Sequence, residues 1–360
     1  MRLIHTGDLH LGSAMTSLSP DKAKQRKTEL MDGFRALSAF AKENGVSAVL
    51  IAGDLFDSKP TIALKKEVFS VMEQTKPVQF FYVSGNHDEE FTVGEEKPDN
   101  LHLFSDTHGW KSYMLNENVT VTGLDLRNLT EKSYADLSLD KQAFNVVMMH
   151  GDAVAAKAEQ KEQISLQRLQ NRYVDYLALG HIHKPTEMSQ RLDGRGVWRY
   201  CGCLEGRGFD ECGRRGAFLL EIENGRLISE KFLSFSKRVF TEVQVDISAC
   251  NTYYDVEQTV LSALRTESSQ NAVKIVLCGR HSAGLKKETA LLTQRLSERF
   301  FFVRVEDTSK VYVDYNAYAS DMTERGEFVR EVGRCAMNEE IKLEILEIGL
   351  KALAGEEIDL

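Results

Sequence analysis

Gly7-Asp8-Leu9-His10, Gly53-Asp54, Gly85-Asn86-His87-Asp88, His150-Gly151-Asp152 and Gly180-His181-Ile182-His183 follow one another along this chain. Five of its nine histidines fall in these short stretches. Any one stretch could be a solvated loop, since loops are polar. Five with the same chemistry ask for a common cause. Asp, His and Asn side chains together suit a hard-to-borderline divalent cation. The lack of cysteine here speaks against a structural zinc. The supply of ligands exceeds one ion. Two ions about 3.5–4 Å apart, sharing a carboxylate, would use it. Such a pair drives in-line attack on a phosphate ester: it lowers the pKa of a water and stabilises charge on the phosphoryl oxygens.

Each stretch closes an apolar run: RLIHTGD, VSAVLIAGD, VQFFYVSGNHD, FNVVMMHGD and VDYLALGHIH. Helical patterns over 21–44 and 63–75 lie between the first three. Strand–helix alternation predicts an α/β fold with buried parallel strands. In such sheets, sites gather at the carboxyl ends of the strands, where glycine lets the backbone turn. GVWRYCG and GAFLLEIENGRLISEKFL also read as strands, with Asn224-Gly225 as a hairpin signal.

After about residue 238 the pattern restarts. FTEVQVDI, NAVKIVLCG and FFVRVED read as strands around two helical segments, a βαβαβ domain. Met322 to Ala354 reads as an acidic helix with apolar residues at helical spacing. Such a stripe either folds back on its own chain or docks in a partner's groove. The expected domains are therefore 1–238, 239–321 and a helical tail, 322–360.

The 360 residues carry a net charge of −9. That excludes a protein coated in basic surface for passive nucleic-acid binding, but not a local basic groove. Residues 191–240 hold ten Lys/Arg against seven Asp/Glu, while 323–360 hold five against ten. No run of eighteen apolar residues predicts a membrane span. Strand pattern from Met1 onward predicts no signal peptide. Six cysteines in no regular framework predict reduced thiols and a cytoplasmic protein.

DxH, GDxxD, GNHD, a lone His-Gly and GHxH, in that order, resemble the calcineurin-like metallophosphoesterases, over roughly residues 1–235. The resemblance implies a two-sheet sandwich flanked by helices. It implies that Asp8, His10 and His183 hold a first ion, that Asn86, His150 and His181 hold a second, and that Asp54 bridges them. It makes His87 a general acid or transition-state donor that binds no metal, with Asp88 orienting it. More narrowly, HTGDLHLG, GDLFDSKP, DYLALGHIH and GCLEGRGFDECGRRGAFLLEI resemble the SbcD nucleases of double-strand-break repair. That family implies a capping domain after the phosphoesterase domain, a homodimer, DNA as substrate and an SbcC-like ATPase as partner. Two positions depart from it. Asp57 stands where some members have a second histidine, and Cys203-Leu204 where Ser-Pro is common.

The expected function is a two-metal DNA nuclease. The O/N ligand set makes Mn²⁺ plausible. The alternatives are a phosphodiesterase or phosphatase acting on a small nucleotide, and a module that only holds a partner. Asp57, Arg207, Arg214 and Arg215 are candidate substrate contacts, the arginines through DNA phosphates; each also reads as a turn or a solvated face. Asp152 reads as a turn cap or as a group supporting the ligands. Cys201, Cys203 and Cys212 lack the paired CxxC of a zinc site. His5 reads as a strand side chain, and His102 and His108 as loop residues that bind nothing.

Overall fold

Ala48–Ala52 is buried at every position, because helices cover one face of its sheet and a second sheet covers the other. The computed structural model describes residues 1–16, 18–88, 97–104, 109–160, 162–282, 284–312, 318 and 320–354. His108 lies outside them. The chain divides into two compact units, 1–239 and 240–360.

The first unit runs β1 (Arg2–Thr6), α1 (Pro20–Glu43), β2 (Ala48–Ala52), α2 (Ile62–Gln74), β3 (Gln79–Val83), β4 (Leu101–Leu103), β5 (Lys111–Asn116) and β6 (Val119–Gly123). It continues with α3 (Glu131–Asp136), β7 (Phe144–His150), β8 (Asp152–Val154), β9 (Gln163–Ser165), α4 (Leu166–Leu169), β10 (Tyr176–Gly180), β11 (Gln190–Arg191), β12 (Val197–Tyr200), β13 (Ala217–Glu223) and β14 (Arg226–Leu233). One six-stranded sheet has the order β14-β13-β1-β2-β3-β4, the other β11-β12-β10-β7-β6-β5. The central pairs are parallel. The antiparallel pairs lie towards the sheet edges. Asn224 and Gly225, both at positive φ, close the β13–β14 hairpin.

Alternation along each strand builds the layers. Leu3, Leu50, Phe81, Val83, Val146 and Met148 fill the space between the sheets. Phe80 faces outward to Phe34 of α1, ring centres 6.3 Å apart. On the far side Val147, Met149, Leu177 and Leu179 pack against α3 and α4. Each such side chain, fully buried, is worth about 1.5–3 kcal/mol over its exposed state. Because the central strands are parallel, the carboxyl ends of β1, β2 and β3 share one edge of their sheet, and those of β7 and β10 share one edge of theirs.

Short strands escaped the sequence pattern. β5 alternates half-buried and exposed positions and carries little apolar signal. His102 is a strand residue on β4, not a loop residue: it stacks on Phe81 at 4.8 Å and meets Gln79 Oε1 at 2.8 Å.

The second unit contains β15 (Phe240–Asp246), α5 (Tyr253–Ala263), β16 (Ala272–Cys278), β17 (Arg280–Ser282), α6 (Thr289–Ser297), β18 (Phe302–Asp307), β19 (Lys310–Tyr312), α7 (Glu324–Arg334) and α8 (Glu339–Ala354). β15, β16 and β18 form a parallel sheet. The tail is two helices rather than one. Val329, Val332, Leu346 and Leu350 bury their stripe against each other and Val311 of β19, so it folds back on its own unit; Ile341 and Ile348 stay exposed. No helix among the described residues is long and apolar enough to cross a membrane.

Candidate metal centre

The loops after β1 and β2 are zipped together before any side chain is placed. Asp8 N–H donates to Gly53 O at 3.0 Å, His10 N–H to Asp54 O at 2.9 Å, and Leu11 N–H to Leu55 O at 3.0 Å. Holding these side chains inward bends the backbone. Among the described residues nine non-glycine positions have positive φ, and Asp8, His10, Asp54 and His181 are four of them. Such conformations cost of order 1–3 kcal/mol each and persist where surrounding structure enforces them.

Two glycines of the motifs serve a purpose other than turning. A Cβ on Gly53 would strike the His150 ring, and one on Gly85 would strike the Asp54 carboxylate. Gly85 is thus required for space. Gly85→Ala is expected to keep the circular-dichroism spectrum and lose hydrolysis by about 10²-fold, the usual result of moving a reacting group by ~1 Å. Full activity in this variant would contradict the close approach.

Asp8, His10, Asp54 and His183 each offer one ligand atom, all within 4.8 Å of one another. His10 Nε2 and His183 Nε2 are 3.2 Å apart. A second group stands beside them: His150 Nε2 is 2.9 Å from Asn86 Oδ1, and His181 Nδ1 is 3.3 Å from the same atom. Asp54 Oδ2 lies between the groups, 3.6 Å from His10 Nε2 and 3.5 Å from His150 Nε2. Its other oxygen accepts the His87 N–H at 2.9 Å. The Asp8 carboxylate accepts the His181 N–H, at 3.0 Å through one oxygen.

The electrostatics fit cations. Burial first, then the neighbouring Asp54 carboxylate, push Asp8 well above the usual carboxylate range. Burial likewise raises Asp54. Burial, then the Arg207 charge, hold His10 down to about 2, and burial brings His150 to about 4. Acids that resist ionisation beside imidazoles that resist protonation form a donor set that divalent cations would complete.

Other expected residues sit differently. Asp88 does not reach the His87 ring. Its carboxylate accepts from Gly85 N–H at 2.9 Å, Phe56 N–H at 3.0 Å and Leu55 N–H at 3.3 Å, so it ties the GNHD turn to the loop after β2. The His87 ring is exposed, 5.0 Å from the His10 ring, with Nδ1 3.3 Å from the Asp57 carbonyl oxygen. Arg207 and Arg215 turn inward: Arg207 pairs with Asp57 and Glu211, and Arg215 Nε donates to the Glu211 carbonyl. Arg214 stays exposed. Asp152 begins β8. His5 is a core residue, bonded at 2.9 Å to Tyr176 OH. Cys201 and Cys203 are buried thiols, and all six cysteines are free.

Glu211 was not foreseen. Its Oε1 lies 2.7 Å from His183 Nδ1. Arg207 and Glu211 both lie in the segment GCLEGRGFDECGRRGAFLLEI, but their spacing alone does not mark Glu211 as a partner of His183.

The family model for calcineurin-like phosphoesterases matches residues 1–185. The chain is 27% identical over 302 residues to the uncharacterised metallophosphoesterase YhaO of Bacillus subtilis (strain 168), covering 78% of this chain and 72% of that one. It is 27% identical over 265 residues to the DNA double-strand break repair protein Mre11 of Methanopyrus kandleri, covering 65% and 56%. It is 22% identical over 275 residues to the SbcD component of the SbcCD nuclease of Staphylococcus epidermidis, covering 65% and 69%. Among solved structures, a dimetal phosphatase from Danio rerio aligns with a TM-score of 0.46 at 11% identity, covering 66% of this chain and 99% of that one.

Proposed function

This chain belongs to the calcineurin-like phosphoesterase family, and from that premise we propose that it is a two-metal-dependent nuclease that hydrolyses phosphodiester bonds in DNA. The observation that carries the reading is the place of Asp54: one carboxylate oxygen faces both nitrogen-rich groups, as a bridging ligand must. In this reading Asp8, His10 and His183 hold one ion, and Asn86, His150 and His181 the other. The bound pair supplies a nucleophile near neutral pH and offsets charge on the phosphoryl oxygens. The mixed oxygen and nitrogen donors are compatible with Mn²⁺.

The protein's own part is positioning and proton transfer. His150 Nδ1–H donates to Ala52 O at 2.9 Å, which fixes its tautomer and turns Nε2 inward. His87, exposed at the rim, is free to approach a leaving oxygen and donate to it. Asp88 keeps the loop that carries His87 attached to the loop that carries Asp54.

DNA as substrate rests on the likeness to proteins named for break repair and for an SbcCD nuclease. The same likeness supports a homodimer working with an SbcC-like ATPase, with residues 239–321 as the added surface that guides nucleic acid. One observation favours a small nucleotide instead: a cavity of about 520 Å³ beside Asn86, lined by Leu126, Leu129, Arg127, Thr130 and Glu162, is nucleotide-sized. Degradation of single-stranded DNA should be compared with hydrolysis of bis-p-nitrophenyl phosphate from low to moderate salt. A nuclease loses DNA cleavage steeply with salt, because each phosphate contact it forms releases counterions, and that release is worth less as the salt concentration rises, while the small ester is cleaved at a nearly constant rate. Cleavage of the ester alone, at every salt concentration, would favour the small-nucleotide reading.

A further inference from the structure

Behind His10 and His183 lies a charged device that the second group of ligands does not share. Glu211 is 2% exposed, and its Oε1 accepts from His183 Nδ1–H at 2.7 Å. Asp57 Oδ1 sits 3.1 Å from His10 Nδ1, in electrostatic contact. One guanidinium joins the two carboxylates: Arg207 Nη1 donates to Asp57 Oδ1 at 2.8 Å, and Nη2 to Glu211 Oε1 at 2.8 Å. The Arg207 backbone N–H adds a bond to Glu211 Oε2 at 2.7 Å. The loop is anchored from behind. Arg26, fully buried in α1, donates to Glu205 Oε2 at 2.6 Å and to Gly206 O at 2.7 Å. Glu29 then joins Arg26 to Arg238. By contrast, His150 Nδ1 makes its hydrogen bond to a neutral carbonyl, that of Ala52, at 2.9 Å, with the Asp8 carboxylate farther off at 3.8 Å.

We infer that Arg207, Asp57 and Glu211 form a positioning clamp that makes the Asp8/His10/His183 position the tight one of two unequal metal positions, so that the ions load in order. The inference rests on the two-metal reading of the site. A carboxylate hydrogen-bonded behind a ligating histidine holds the ring in one orientation, and loss of such a partner commonly costs 10–100-fold in metal affinity. A neutral carbonyl makes the weaker, uncharged form of that hydrogen bond. Arg207 prevents the two carboxylates from repelling one another and holds both at once, which a lysine point charge cannot do. The clamp therefore acts on one position and not on its neighbour, only a few ångströms away. This also explains the departure at residue 57. A histidine there could not pair with Arg207, whereas Asp57 does.

The test is a Mn²⁺ binding isotherm on the full chain, with free ion read by electron paramagnetic resonance. The unmodified chain is expected to show a tight and a weak class. Glu211→Gln should weaken the tight class by about 10–100-fold and move the weak class by no more than two- to threefold. Arg207→Lys should fall between the two. Asp57→Asn, nearly isosteric and at the rim, gives the same answer should the Glu211 variant not fold. Hydrolysis by these variants should recover at high Mn²⁺ with the substrate KM unchanged, because the clamp touches metal ligands and not substrate. Equal weakening of both classes, an unchanged isotherm, or a raised KM that metal does not restore would each overturn the clamp. A chain that binds no divalent ion at all would overturn the two-metal reading itself, which separates the two failures.

Discussion

Asp54→Ala is expected to abolish hydrolysis and to weaken both metal positions at once. The residue is 1% exposed, and among the described residues its carboxylate is the one that faces both His10 Nε2 and His150 Nε2. Removing it leaves three ligands in each group with no shared anion, so two cations would face each other without a bridge. Calorimetric titration with Mn²⁺ should show the loss directly, and EDTA should do to the unmodified chain what the substitution does. Thermal unfolding gives a second readout. A ligand that binds only the folded state at 100 times its dissociation constant adds about 2.7 kcal/mol, so Mn²⁺ should raise the melting temperature of the unmodified chain and barely move that of the variant. Metal affinity should also climb with pH. Asp8 and Asp54 are both raised, chiefly by burial, so protons compete with the ion for these carboxylates more strongly than for free ones, and less so as pH rises. Undiminished hydrolysis in excess EDTA would remove the two-metal account.

His87→Ala is expected to lose turnover by ~10²–10⁴-fold, the usual contribution of acid–base assistance, while both ions stay bound. The separation follows from which atoms of His87 do what. Its backbone N–H steadies Asp54, and alanine keeps that bond. Its ring stands at the rim, and alanine removes it. One geometry makes metal content the decisive measurement: His10, Asp57 and His87 also offer three atoms within 4.8 Å of one another. If the variant loses an ion, the ring is a ligand and its role as a proton donor falls.

The recurring Asp, His and Asn positions and the strand ends that carry them were readable in the linear order, because each motif terminates an apolar run and the runs are long enough to declare buried strands. The Asn224-Gly225 hairpin was readable for a similar reason: its conformation is local. The tertiary structure decided matters that depend on residues far apart in the chain. Gly85 and Gly53 looked like turn residues; Gly53 does turn, at positive φ, and both also leave the space that the Asp54 carboxylate and the His150 ring occupy. Asp88 looked like a partner for its neighbour His87, yet three backbone N–H groups from two loops claim its oxygens. Arg207 read as a solvated face or a contact to phosphate, but folding brings Asp57 from 150 residues away into its reach. Charge and hydrogen bonding at a site depend on which side chains meet, and sequence spacing does not encode a meeting between loops. Local periodicity announced the strand ends; only the packing of two sheets showed what stands behind each polar side chain they carry.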